Sequence, residues 1–437
     1  MLTIEKLFQI SESMLNKSKL LINTKEKKRL LENFVSLSLL QGLNYILPLV
    51  TFPYLVRVLG VEKFGLLAFA TATVAYFQIL TDYGFNLSAT REVAINRDNK
   101  EKLNEIFSSV MIIKFCLLII SFLLLSVLVF SFEKFRQDWL IYYLSFGMVV
   151  GQVLFPVWFF QGMEQMRYIT LLNILAKGLF TVAIFVFVHN KSDYYLVPFF
   201  TSFGYFVTGI VSILIINKRM HVGITFVNKI TIKYYLIEGW DLFISSIFSF
   251  FYRNINIIIL GLLTNDYIVG YYSVSEKLLK IFQSLQDVFG TALFPFLSKK
   301  NNEKKEYFFS LNEKYFKFIF FIYILFAIIV FLFSPIIILF VIGQANNIAV
   351  LNLRLLSFVI LIGGLNYYYG IIGLVSMNYK KDFSHYIIIT GLFNLFFCIL
   401  LVKLIPNIGA AISMNISELL LLFFIVWKII KIRKNFN

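Results

Sequence analysis

Little in this chain is suited to breaking or making a covalent bond. Its 437 residues include only two cysteines, Cys116 and Cys398, both inside apolar runs, so neither a disulfide framework nor a metal site follows from their spacing. The three histidines, His189, His221 and His385, stand near segment ends with no partner at ligand spacing. There is no G-x-x-x-x-G-K-[ST] phosphate loop, so the chain is not expected to hydrolyse ATP itself. Nor is there a G-x-S-x-G elbow or an H-E-x-x-H helix, and neither a cofactor nor a metal is expected. Charge is scarce at 15%, yet the net charge is +16. With no basic stripe on a soluble domain and no finger or RNA-recognition motif, nucleic acid is excluded as a partner. Residues 1–32 also lack the compact apolar core and small-residue cleavage site of a signal peptide.

What the chain has instead is long apolar sequence. Residues of the AVILMFWYC set make up 59%, against roughly 45–50% in soluble domains even with Gly included, so lipid is the solvent the sequence points to. Apolar runs of bilayer length recur near 33–56, 64–81, 107–130, 138–160, 168–188, 194–217, 239–263, 267–296, 315–343, 350–376, 383–403 and 408–430. These predict an all-α integral membrane protein of about twelve spans. With the N-terminus taken as cytoplasmic, the cytoplasmic segments carry 28 Lys and Arg and the opposite ones carry 6. The excess of basic residues on one side predicts that both termini face the cytoplasm. Leu7, Ile10, Met14 and Leu21 recur at near-helical spacing among the lysines of residues 1–32. That extension reads either as an amphipathic helix on an anionic leaflet or as a basic tail.

Six cations fall inside the apolar runs, where each costs about 2.5–3.5 kcal/mol even on lenient insertion scales and so must face water or a partner. Arg253 and Lys177 lie near the middle of their runs and are the first candidates for a cationic cavity; the alternative for each is a buried ion pair with a neighbouring helix. Lys114 either faces the cavity or snorkels to the cytoplasmic surface. Glu276 and Lys280 stand at i, i+4 and can neutralise each other, leaving Lys277 to point elsewhere, the lumen included. Arg354 is either an anion contact or an interfacial anchor. Asp82, Arg91 and Glu92 form either an inner gate or a solvated loop network, and Asp82, Asp241, Glu276, Asp287 and Glu418 are the acids at which H+ or Na+ can couple. Pro48 and Pro53 predict a bent first helix bordering the cavity. In the tenth run, Tyr367, Tyr368 and Tyr369 beside Asn366 either stack on sugar or anchor at the interface.

The turn Leu59-Gly60-Val-Glu-Lys-Phe-Gly65 is echoed by Leu260-Gly261 and Gly270-Tyr-Tyr, each at the head of a six-run block, as parallel halves about the membrane normal would produce. Five further stretches have a shared character: Asp82-Tyr-Gly-Phe-Asn86 through Arg97-Asp98, Pro156-Val-Trp158 through Gln161-Gly162 and Lys177, Gly270-Tyr-Tyr-Ser-Val-Ser-Glu276-Lys277, Phe294-Pro295 through Lys299, and Gly409-Ala-Ala-Ile-Ser413 to Glu418. Together they resemble the polysaccharide-repeat flippases, the O-antigen (Wzx-type) branch of the multidrug/oligosaccharidyl-lipid/polysaccharide superfamily. The chain departs from that pattern in its N-terminal extension and in Phe296, where relatives often carry Arg.

The resemblance implies two six-helix lobes around a central cavity. The corresponding division is a cytoplasmic extension 1–32, an N-terminal lobe 33–217, a cytoplasmic linker 218–238 and a C-terminal lobe with basic tail 239–437. It also implies a non-enzymatic task in a bacterial inner membrane, turning an undecaprenyl-diphosphate-linked oligosaccharide from the cytoplasmic to the outer leaflet. The implied partners are that lipid-linked oligosaccharide, membrane lipids, H+ or Na+ for coupling, and polysaccharide polymerase and chain-length proteins downstream. A peptidoglycan-precursor flippase, a multidrug or cation antiporter, and a glycan polymerase are the alternatives. Short outside loops count against the polymerase, and the preponderance of embedded cations counts against a cation exporter.

Overall fold

The computed structural model describes residues 25–303 and 307–434; within these, the side chains of 25–41, 43–46, 285, 287–293, 295–296, 302–303 and 311–315 lie outside the description. Among the described residues all regular structure is helical. The principal elements are α1 (Lys25–Asp82), α2 (Ser88–Ile95), α3 (Lys100–Ser131), α4 (Trp139–Leu154), α5 (Met166–Phe187), α6 (Leu196–Met220), α7 (Lys229–Leu263), α8 (Asp266–Glu303), α9 (Tyr307–Ile342), α10 (Asn347–Asn366), α11 (Lys380–Leu404) and α12 (Gly409–Lys434). A backbone without water must satisfy its amides internally, which is why apolar sequence of this length folds as helix. Among the described residues, ten candidate spans are long and apolar enough to cross a membrane. They carry outward-facing belts such as Ile119, Leu123, Val127 and Phe130 on α3.

α1 is interrupted once. Gly60 takes φ 77° and ψ 162°, a conformation open to glycine, and the chain doubles back there. Phe52 and Phe64 show the reversal: their ring centroids are 5.5 Å apart, whereas twelve positions along a straight helix would separate them by about 18 Å. The turn expected at Gly60 is therefore present, compressed to one residue. Pro48 and Pro53 lie inside the first arm without breaking it, since Gly60 alone departs from helical φ/ψ. The expected fourth run is split at Phe155-Pro156 into α4 and a short helix, Val157–Gly162. The tenth run changes from α to π geometry over Tyr367–Val375. Within the expected linker 218–238, residues 221–228 are non-helical and α7 begins at Lys229.

The buried apolar residues form three clusters, and their distribution describes the molecule. One joins both halves at the end that carries Gly60: it includes Leu59 and Phe64 of α1, Tyr142 of α4, Leu260 of α7, Val274 of α8 and Leu356 of α10. At the opposite end the packing divides. Phe85, Ile106 and Trp158 belong to one cluster of the N-terminal half, joined by Tyr235 and Phe243 of α7. Leu297, Phe308, Tyr368 and Ile425 belong to another in the C-terminal half. The halves thus share one core at the Gly60 end and have separate cores at the other.

The two turns that echo each other in the sequence meet at the shared core. A β-carbon on Gly65 would lie 2.6 Å from Gly270 N, and one on Gly270 would collide with the Val61 carbonyl. Lys134, in the α3–α4 connection, reaches across to Asp266 at the head of α8 at 2.8 Å. Arg57 donates to the Phe340 carbonyl of α9. Beside the ion pair, burial holds the Asp138 carboxyl above the usual carboxylate range; Lys63 opposes the shift and Asp266 reinforces it.

Candidate functional site

A cavity of about 610 Å³ lies between the halves. Both arms of α1 contribute to it, with Pro48, Thr51, Phe64 and Thr71, as do Thr201 of α6 and Asn254 of α7. α8 presents Ser273, Lys277, Lys280 and Ser284, whose spacing of three and four puts them on one helical face. Glu276 is 2% exposed and pairs with Lys280 at 3.1 Å, as the i, i+4 spacing predicts. Lys277 is left without an ion pair among the described residues. Its ammonium sits 4.6 Å from the Phe64 ring centroid and 5.5 Å from that of Phe52. The Gly60 reversal brings those two rings together, and rings over an ammonium contribute about 0.5–2 kcal/mol depending on desolvation. The result is a cation held in place by aromatic faces, with its side chain exposed to the cavity and no ion pair among the described residues.

A second cavity, of about 360 Å³, lies within the C-terminal half. Lys280 lines both cavities. The second one is polar: Arg253, Gln283, Gln286, Asn366, Asn394, Ser417 and Glu418 face it, with Tyr367 from the π segment. Asn366 Nδ2 donates to a Glu418 carboxylate oxygen at 2.6 Å and to the Glu418 carbonyl at 2.9 Å, clamping α10 to α12. Arg253 lies within electrostatic reach of the same carboxylate. Behind it, Asn394 donates to Asn256 at 3.0 Å and Ser413 donates to Asn394 at 2.8 Å.

The structure therefore redistributes the embedded charges. Arg253 and Lys177 are not brought together: Arg253 faces the C-terminal cavity, and Lys177, half-buried on α5, lines neither cavity. Lys114 neither faces a cavity nor snorkels. It is 2% exposed and pairs with Asp82 at 3.7 Å. The physical reason is depth: α3 starts at Lys100, which places Lys114 about 21 Å along the helix, beyond the reach of snorkelling. Arg354 donates to Ser334 at 3.1 Å and covers the Phe331 ring, so it fastens α10 to α9. Asp82 and Arg91 do not pair with each other; Arg91 spans to Glu238 of α7 at 3.7 Å, an exposed contact. Asp241 is exposed on α7, and the Asp287 side chain lies outside the described residues. Of the tyrosine run, Tyr367 faces the C-terminal cavity, Tyr368 is buried, and Tyr369 packs on Phe316.

Gln283, Gln286, Asn394 and Ser417 were not singled out from the sequence. Their signal is present in the sequence, since carboxamides and hydroxyls inside membrane-length apolar runs need partners and seldom face lipid. The embedded ionic groups are the stronger signal because their desolvation cost is larger.

Residues 30–301 match the family described as Polysaccharide biosynthesis protein. A relative in Escherichia coli (strain K12), described as “Putative O-antigen transporter”, is 32% identical over 394 residues, which cover 90% of this chain and 95% of that protein. Among solved structures, an inward-facing multidrug resistance MATE family transporter of the MOP superfamily superposes with a TM-score of 0.68 at 14% identity, covering 92% of this chain and 99% of its own. The lipid II flippase MurJ in an inward closed conformation gives 0.69 at 14% identity, covering 91% and 87%. At that identity the two structures establish a common fold.

Proposed function

The chain belongs to the polysaccharide biosynthesis protein family, and from that membership we propose that it is a flippase moving an undecaprenyl-diphosphate-linked oligosaccharide from the cytoplasmic to the outer leaflet of a bacterial inner membrane. The observation that carries the reading is Lys277, a cation with no ion pair among the described residues, braced by Phe52 and Phe64 in the cavity between the halves. A diphosphate headgroup cannot cross hydrocarbon uncompensated, and a fixed ammonium facing water at mid-membrane offers it a partner while the lipid tail stays in the bilayer. The neighbouring acid, Glu276, is already neutralised by Lys280, so the cavity favours an anion over a cation. The same balance argues against a multidrug cation antiporter.

In this reading the Gly60 end is the outer face, both termini are cytoplasmic, and the arms of α1 cross separately, as does α8, giving twelve spans in two lobes. The shared core at the Gly60 end closes the cavity outward, and transport proceeds by separating Gly65 from Gly270 while the two cytoplasmic clusters approach. Glu418, clamped by Asn366 and facing Arg253, is the acid best placed to couple H+ or Na+ to that exchange; Glu276 is committed to Lys280. The flipped oligosaccharide passes to polymerase and chain-length proteins outside, and no bond is made or broken by the chain itself.

The test is complementation of a strain that lacks its own O-antigen flippase. The intact chain restores surface glycan. A Lys277→Ala variant present at normal abundance in the membrane does not, and Lys277→Arg restores part. Full surface glycan from Lys277→Ala removes the assignment of the headgroup to this cavity.

A further inference from the structure

We propose that the C-terminal cavity is a sugar subsite, taking the uncharged sugar ring next to the diphosphate of the substrate; this rests on the reading of Lys277 as the phosphate contact. The cavity is built for hydrogen bonding and is incomplete as it stands. Asn366 and Ser417 line it, with side chains 5% and 1% exposed, and Asn366 Oδ1 and Ser417 Oγ are buried with no hydrogen-bond partner among the described residues. A buried polar atom left unsatisfied is costly, so a pair of them on one wall marks where a ligand's polar groups belong. The carbonyl oxygen of the Asn366 amide accepts only, whereas the Ser417 hydroxyl both donates and accepts, which matches the hydroxyls of a sugar rather than the acceptor-only oxygens of a second phosphate.

Charge narrows the class. Arg253 and Glu418 both line the cavity within electrostatic reach of each other, and Lys280 is bridged to Glu276, so the cationic and anionic groups around the cavity balance in number. Such a wall gives no advantage to a uronic acid or an amino sugar. Tyr367 and Phe383 supply ring faces for the apolar side of a pyranose. The volume falls at the small end of ligand sites and suits one ring rather than a whole repeat unit. Geometry supplies the connection: Lys280 lines both cavities and stands one turn from Lys277, so a diphosphate at Lys277 delivers its first sugar to the opening of the second cavity.

The experiment measures the affinity of the full chain in nanodiscs for two lipids, bare undecaprenyl diphosphate and undecaprenyl diphosphate bearing N-acetylglucosamine. Two new hydrogen bonds correspond to about a tenfold tighter binding of the sugar-bearing lipid. Ser417→Val and Gln283→Leu should bring that ratio toward one. Asn366→Leu should do the same, but it also frees Glu418, so Ser417→Val, whose hydroxyl holds nothing else in place, is the deciding variant; thermal stability of each variant is recorded alongside. Lys277→Gln should weaken both lipids and preserve the ratio. A ratio near one in the unaltered chain, or a tenfold ratio that survives both Ser417→Val and Gln283→Leu, overturns the sugar subsite while leaving the phosphate contact standing. Failure of the unaltered chain to bind the bare diphosphate lipid, or indifference of both lipids to Lys277→Gln, overturns the phosphate reading and this inference with it. A lipid bearing glucuronate should show no gain over the bare lipid, and an equal gain would overturn the assignment to an uncharged sugar.

Discussion

Gly65 on the returning arm of α1 and Gly270 on α8 meet backbone to backbone, so that a β-carbon on Gly65 would lie 2.6 Å from Gly270 N. The two residues belong to different halves, and their contact, with the Lys134–Asp266 pair, joins the halves at the Gly60 end. No flexible side chain intervenes to give way, so added bulk must push the halves apart.

Gly65→Val is therefore expected to open the Gly60 end. A cysteine at Thr71, which lines the cavity, reports this in a Cys116→Ser background, since Cys116 is exposed and Cys398 is buried. Labelling by a membrane-impermeant maleimide from that side should be slow in the parent and several-fold faster in Gly65→Val. Equal rates would show that the contact does not hold the closure.

Acid should stabilise the same closure. Because burial raises the Asp138 carboxyl in the closed arrangement, protonation favours closure; the benefit is fully present below the ordinary carboxylate range and is lost as pH rises through the raised value. Labelling at Thr71→Cys should slow as pH on that face falls from about 7 toward about 4, and Asp138→Asn should flatten the dependence. A pH response unchanged in Asp138→Asn would assign it to another group.

The buried pair of Lys114 and Asp82 predicts a rescue. Removing one partner from such a pair leaves a charge uncompensated, at a cost of about 3 kcal/mol. Lys114→Met alone should lower membrane abundance, and combination with Asp82→Leu should recover it. A single variant as abundant as the parent would mean that the pair contributes nothing to folding.

Topology can be read by the same chemistry. Cysteines at Asp193, Asn265 and Asn347 should label from outside intact cells, and those at Asn228 and Asn302 should not. Reversal at two or more positions contradicts the orientation.

The helical membrane architecture was legible in the sequence because apolar runs of bilayer length admit few other structures, and the turn at Gly60 was legible because the run is interrupted there by glycine and charge. The Glu276–Lys280 pair followed from helical spacing, which fixes neighbours on one helix. Contacts between helices did not follow. Lys114 reads as solvent-seeking until Asp82 is placed beside it from α1, and Arg253 and Lys177 read as candidates for one cationic cavity until Arg253 is seen to line the C-terminal cavity and Lys177 neither. The importance of Lys277 depends on Phe52 and Phe64, which are brought together only by the doubling back at Gly60. The carboxamides of the C-terminal cavity lie on α8, α10 and α11, and no local pattern links them.

The central claim is most directly tested with purified protein in liposomes holding undecaprenyl-diphosphate-linked oligosaccharide, with the fraction of glycan open to an external glycosidase followed in time. The account predicts exchange between leaflets well above protein-free liposomes, partial exchange with Lys277→Arg, loss with Lys277→Ala, and a smaller effect of Lys177→Ala than of Lys277→Ala. Exchange no faster than in protein-free liposomes, or undiminished exchange by a fully inserted Lys277→Ala, would contradict it.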